Sequence, residues 1–147
     1  MKDEEDMEDE EDEEDEEDWL KKLNMNSVKY ENSFRQLIVW QESKKLTLLV
    51  YECTKDFPNE EKFAMVSQMR RAAYSILANI AEGNSKRHYK DRCRFFNIAV
   101  GSLNELDCFI EIAHELKYLN DENNKKLLEY INKTGHLLHK FIYSQKR

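Results

Sequence analysis

Residues 60–83 read EEKFAMVSQMRRAAYSILANIAEG, and this stretch decides how the rest of the chain must fold. Phe63, Val66, Met69, Ala73, Ile76 and Ile80 recur at intervals of three and four, the spacing that gathers side chains on one side of an α-helix. Gly83 follows as a C-terminal cap, because glycine tolerates the left-handed backbone that closes many helices. Ala72, Ala73, Ala78 and Ala81 permit a second helix to approach closely. The expected helix covers 60–82, and a long helix with one apolar stripe needs partners to bury it.

Working outward, Pro58 removes a backbone donor and restricts Phe57, so a preceding helix must end near Asp56. Ser33 and Gln36 have the capping-box spacing at its start. Its apolar face is read as Leu37, Trp40, Leu48 and Tyr51 with the smaller Thr47 and Thr54, leaving Glu42, Lys44, Lys45 and Lys55 for solvent. Downstream, a third helix is expected over 89–116 through Phe95, Ile98, Ala99, Ser102, Leu106, Phe109, Ile110 and Ala113, with Asp91 complementing the dipole at its start. Gly101 and Ser102 thin that helix for a neighbour. A fourth begins after Asn120, a good N-cap, and carries Leu127, Leu128, Ile131, Leu138, Phe141 and Ile142, with Gly135 marking another close contact. Four amphipathic helices joined by connections of about two to eight residues give an all-α fold, an antiparallel up-down-up-down four-helix bundle over 33–147.

Composition supports helices, since 3 Gly and 1 Pro are too few for the turns of a many-stranded β protein. The net charge of −7 conceals a sharp division. Residues 1–18 hold 15 of the 30 Asp and Glu and one of the 23 Lys and Arg, a balance of −14, which leaves +7 for the remainder. So dense a block of like charge repels itself and buries nothing, so 1–18 reads as a disordered acidic tail and 19–32 as a linker. No run approaches the roughly 20 apolar residues of a membrane span, and the acidic start is unlike a signal peptide. Cys53, Cys93 and Cys108 are widely spaced with no CxxC pair, which fits neither a disulfide framework nor a zinc site and suits a reducing cytoplasm.

Two polar constellations stand out. Arg71, Ser75, Asn79 and Glu82 share one helix face, with Arg70 beside it. They form either a recognition surface or a structural network to a neighbouring helix, where Ser102 and Glu105 join the same set. Lys86, Arg87, Tyr89, Lys90, Arg92 and Arg94 crowd one turn and helix start around His88, where cations could hold phosphate and Tyr89 could stack on a base. The plainer reading of that cluster is a solvated loop. His136 and His139, three apart, and His114 lack the Glu-x-x-His pattern of a di-iron bundle, so no metal and no cofactor is expected. No P-loop, GxSxG or HExxH signature is present, and no enzyme activity is expected.

Three stretches resemble the bacterial 23S ribosomal RNA intervening-sequence proteins. They are Phe34-Arg35-x-Leu37-x-Val39-Trp40-Gln41, then Gln68-Met69-Arg70-Arg71-Ala72-Ala73-x-Ser75-Ile76-x-Ala78-Asn79-Ile80-Ala81-Glu82-Gly83, and Phe95-x-x-Ile98-Ala99-x-Gly101-Ser102-Leu103-x-Glu105-Leu106. The resemblance implies a four-helix bundle that packs as a homopentameric ring without recognised catalytic residues. It also implies a distant likeness to the accessory protein of diversity-generating retroelements, which binds reverse transcriptase and nucleic acid. Two features depart from the pattern: His88 stands where a small hydroxyl N-cap is usual, and the acidic tail is atypical.

These readings converge on a homo-oligomeric interaction or scaffold protein with ribosomal RNA or a ribonucleoprotein as partner. The alternative is a nucleic-acid-binding module using 86–94, with the acidic tail competing with phosphate for Lys86, Arg87, Lys90 and Arg92.

Overall fold

The computed structural model describes residues 33–146; the acidic tail, the linker and the last residue lie outside them. All regular structure among the described residues is helical. A 3-10 turn at Ser33–Gln36 leads into α1 (Ile38–Thr54), and a second 3-10 turn at Asn59–Glu61 precedes α2 (Met65–Asn84). Two further helices follow, α3 (Tyr89–Glu115) and α4 (Asp121–Ser144). α1 packs on α2 and α4, and α3 packs on the same two, with the most extensive contact between α2 and α3.

The buried side of α1 is rotated from its apolar reading. Val39, Leu46, Val50 and Cys53 enter the core, together with Ser43, Thr47 and Thr54, whereas Leu48 is 60% exposed and Tyr51 is also exposed. Hydroxyls take part of the buried stripe because each is satisfied by its own helix. Ser43 Oγ donates to Val39 O at 2.7 Å, Thr47 Oγ1 to Ser43 O at 2.9 Å and Thr54 Oγ1 to Val50 O at 2.8 Å. Small, satisfied side chains let α2 come close, and the Thr47 hydroxyl also reaches Ala73 O at 3.2 Å. Glu42, assigned to solvent, is buried as well. The α-helix begins at Ile38 after an extended Leu37 (φ −70, ψ 124), so the Ser33–Gln36 segment is a separate turn and not its first turn.

In α2 the stripe Val66, Met69, Ala73, Ile76 and Ile80 is buried as read. Phe63 is not part of it. The helix starts at Met65, after Pro58 and the short turn, and Phe63 stands 88% exposed. Gly83 is likewise no cap: it lies inside the helix with ordinary backbone angles, and Ser85 closes the helix. Its lack of a side chain makes room for α3, because a Cβ there would lie 2.6 Å from Phe96 Cε1.

α3 buries Phe96, Ala99, Ser102, Leu103, Leu106, Ile110 and Ala113, which leaves Ile98 45% exposed on the far side. Gly101 is open, with nothing within 4 Å of a built Cβ, so it makes no close contact; Gly135 does, against Leu103 at 3.4 Å. α3 ends with Lys117 at φ 62, where the N–H of Tyr118 reaches Ala113 O at 2.9 Å and that of Lys117 reaches His114 O at 3.0 Å. Asn120 caps α4 as read, its Oδ1 accepting from Asn123 N at 2.7 Å, with Asp121 and Glu122 in the first turn.

The two ends of the bundle gather different segments. At one, Phe57 stacks on Tyr118 at 5.4 Å, and Cys53 and Asp56 share a cleft of about 620 Å³ with His114, Asn120 and Asp121. At the other, the α2–α3 turn meets the last turn of α4, and Leu37 and Ile38 line a groove with Phe141 and Ser144. No helix among the described residues is long and apolar enough to cross a membrane.

Candidate functional site

The α2–α3 contact realises part of the expected polar network. Ser75 and Ser102 place their hydroxyl oxygens 2.9 Å apart, and Asn79 Nδ2 donates to Ser75 O at 2.8 Å and to Ser75 Oγ at 3.1 Å. These three side chains join the helices. Arg70 turns the other way, to the end of α1. Its Nε donates to Thr54 Oγ1 at 3.0 Å, its Nη2 to Tyr51 O at 3.3 Å, and its guanidinium lies 4.6 Å from the Tyr51 ring. A cation there complements the partial negative charge of a helix C-terminus.

Arg71, Glu82 and Glu105 do not enter the network. All three are exposed, none forms an ion pair among the described residues, and Arg71 reaches only Gln68 Oε1 at 3.5 Å. Around them stand exposed Tyr74 on α2 and Ile98 and Ile112 on α3. Ile98, Glu105 and Ile112 are seven apart and so lie on one side of α3. The outer face of the α2–α3 pair therefore combines apolar side chains with charges of both signs that form no ion pair among the described residues.

The basic cluster divides. Arg92 is structural: its Nε and Nη2 donate to Gln145 Oε1, and its Nη1 donates to Asn84 O and Lys86 O, each at 3.2 Å. It ties the α2–α3 turn to the end of α4, a contact across 53 residues that nothing in the local sequence signals. Lys86 and Arg94 both lie over the Phe95 ring, at 5.3 and 5.7 Å. Arg87 and Lys90 are exposed, as is Tyr89 beside them. The neighbouring Cys93, with partial desolvation, holds the Tyr89 phenol above its ordinary value. His88 occupies the N-cap position with an extended backbone and no side-chain cap bond.

A second ionic site went unread in the sequence. The buried Glu42 carboxylate receives Lys45 Nζ at 3.0 Å and Lys133 Nζ at 3.3 Å on Oε1, pinning α1 to α4. The Lys45 bond, aided by Lys133 and opposed by burial, holds its pKa below the ordinary 4.5. Its Oε2 and the Thr134 hydroxyl are buried without hydrogen bonds among the described residues. The i,i+3 spacing of Glu42 and Lys45 was the one available sign. His114 Nε2 lies 2.8 Å from Asp121 Oδ1, whereas His136 and His139 line a separate α3–α4 groove with Asp107. Burial pushes the Cys53 thiol up, which keeps it in its unreactive protonated form.

No curated protein matches the chain. Among solved structures it is similar to a protein of unknown function from the S23 ribosomal protein family of Bacteroides thetaiotaomicron, at 26% identity and a TM-score of 0.66, covering 71% of this chain and 98% of that one. The family model for the 23S rRNA-intervening sequence protein matches residues 35–140, nearly the whole described helical body. With most of its length matched in this way, the chain belongs to the 23S rRNA-intervening sequence protein family.

Proposed function

We propose that the protein is a non-enzymatic, cytoplasmic interaction module that assembles with copies of itself through the outer face of α2 and α3 and scaffolds a ribosomal RNA or ribonucleoprotein partner. The observation that carries this reading is the combination on that face of exposed Tyr74, Ile98 and Ile112 with Arg71, Glu82 and Glu105, which form no ion pair among the described residues. A second copy would cover the apolar groups and pair the charges, and self-complementary or ring-closing use of one face is how most soluble oligomers form. The resemblance to the family supplies the expected number, a homopentamer. The gathering of the α1–α2 and α3–α4 connections at one end and the α2–α3 turn at the other supports antiparallel, up-down-up-down threading. The family's description, 23S rRNA-intervening sequence protein, makes ribosomal RNA the first partner to test.

Light scattering coupled to size-exclusion chromatography tests the assembly. The full chain should elute as one discrete oligomer, and Ile98→Asp should shift it to monomer while retaining helical circular dichroism. A monomeric wild-type chain would sink the reading.

Direct nucleic-acid binding is a second reading, favoured by the free presentation of Arg87, Lys90 and Tyr89 at the α2–α3 turn. Arg92 is excluded from it by its structural bonds. Replacing Arg87 and Lys90 by Gln should lower the slope of log affinity against log salt by about 1–2 for a ribosomal RNA fragment. Deleting residues 1–18 should raise affinity at low salt, because that segment carries −14. An unchanged slope would assign the turn to solvent.

A further inference from the structure

Two exposed stripes on different helices share one spacing. On α1, Gln41, Lys44, Leu48, Tyr51 and Lys55 are exposed at intervals of three and four, and on α3 so are Ile98, Gly101, Glu105, Cys108 and Ile112. Those intervals are the ones along which two helices pack side by side. Neither stripe belongs to the core of its own bundle. α1 turns Val39, Leu46 and Val50 inward and therefore carries Leu48 on its far side, 60% exposed. On α3, Gly101 has nothing within 4 Å of a built Cβ, which leaves a low, open step between Ile98 and Glu105.

Contacts inside the bundle set the relative height of the two stripes. Thr47 Oγ1 reaches Ala73 O on α2, and Ser75, two residues further along α2, meets Ser102 on α3. With the up-down-up-down threading proposed above, α1 and α3 run in the same direction and Thr47 stands level with Asn104. Counting along both helices then brings Lys44 level with Gly101, Leu48 with Glu105 and Tyr51 with Cys108. The stripes match position for position. They also match in chemistry: α1 offers Leu48 and Tyr51 with Lys44, and α3 offers Ile98 and Ile112 with Glu105. Neither Lys44 nor Glu105 has an ion pair among the described residues.

From this match we infer that the outer side of α1 in one copy is what covers the α2–α3 face of the next. The inference rests on the lateral assembly proposed above and names its second surface. In a ring whose axis runs along the bundle, neighbours have no axial shift, so heights within one copy are also heights between copies. Leu48 enters between Gly101 and Cys108 of the neighbour, and Lys44 comes within a helical turn of Glu105. The contact is heterologous, because α1 and the α2–α3 face differ. The two faces adjoin around the bundle, with α2 between α1 and α3, so successive copies turn and close. α4 takes no part, exposing no large apolar side chain before Tyr143 in its last turn. The contact depends on apolar burial and level pairs and not on net charge, and residues 1–32, with four cations against sixteen carboxylates, stay in every protein tested.

Light scattering coupled to size-exclusion chromatography on the full chain, at about 0.15 M salt, tests this. Leu48→Asp should be monomeric, as Ile98→Asp should be, and both exposed substitutions should leave circular dichroism unchanged. An equal mixture of the two should form one discrete heterodimer, because one variant keeps an intact α2–α3 face and the other an intact α1. In Tyr51→Cys, mild oxidation should join neighbouring copies through Cys108, and adding Cys108→Ser should abolish that cross-link. A Leu48→Asp chain that assembles like the wild type would overturn the inference and leave the α2–α3 face to another occupant. A mixture that stays monomeric would overturn it too, as would an assembled Tyr51→Cys chain that does not cross-link. A monomeric wild type would overturn both this inference and the lateral assembly beneath it.

Discussion

Gly83 shows how one missing methyl group sets a helix contact. The Cβ of an alanine would sit 2.6 Å from the Phe96 ring, which is itself packed 4.9 Å from Phe141, so the ring cannot retreat freely. Gly83→Ala should lower stability by about 1–3 kcal/mol despite alanine's better helix propensity, measured by urea unfolding. Combining it with Phe96→Leu should recover part of that loss, as non-additivity requires for residues in contact. Glu42 gives a pH-dependent counterpart. Its folded pKa lies below its ordinary 4.5, so its contribution is present above that value and disappears as pH falls through the folded value. The melting temperature of the wild type should exceed that of Glu42→Gln near neutrality, and the gap should narrow below about pH 4.5.

At the scale of elements, helix existence was legible and helix faces were less so. All four expected helices are present, although α1 and α2 each start five residues later than read, and Asn120 does what an asparagine before an acidic turn should. The face of α1 was misread because apolar residues stand on both sides of it: Leu48 and Tyr51 were weighted over Val39, Leu46 and the self-bonded Ser43, while Thr47 and Thr54 are buried as read. The Ser75–Asn79–Ser102 set was legible as a polar face, but its split from Arg71 and Glu82 depended on side-chain reach between helices. Arg92 was taken for a free cation because its partner Gln145 is distant in sequence. The α3 terminus offers a test of local strain: Lys117 adopts φ 62 in a Schellman turn, which costs an L-residue about 1 kcal/mol. Lys117→Gly should raise stability by roughly 0.5–1 kcal/mol in thermal or urea unfolding.

At the scale of the whole molecule, the core draws on all four helices, from Val39 and Leu46 through Met69 and Ile76 to Leu106, Ile110, Leu127 and Leu138. Such a continuous core should unfold as one cooperative unit. In a Trp19→Phe chain, fluorescence from Trp40, packed 4.9 Å from Phe34, should report the same urea midpoint as far-UV circular dichroism. Two separated midpoints would show that α1 comes away by itself.

The division of charge along the chain has a practical consequence for handling the protein. A sequence pI of about 5.2 promises retention on an anion exchanger at neutral pH and none on a cation exchanger. That figure averages an acidic segment of −14 over residues 1–18 with +7 over the remainder of the chain. A resin bead meets a surface and never an average, so the chain should bind sulfonate and quaternary-amine media alike, the first through its Lys and Arg and the second through its acidic segment. Its isoelectric point would be a poor guide to its purification.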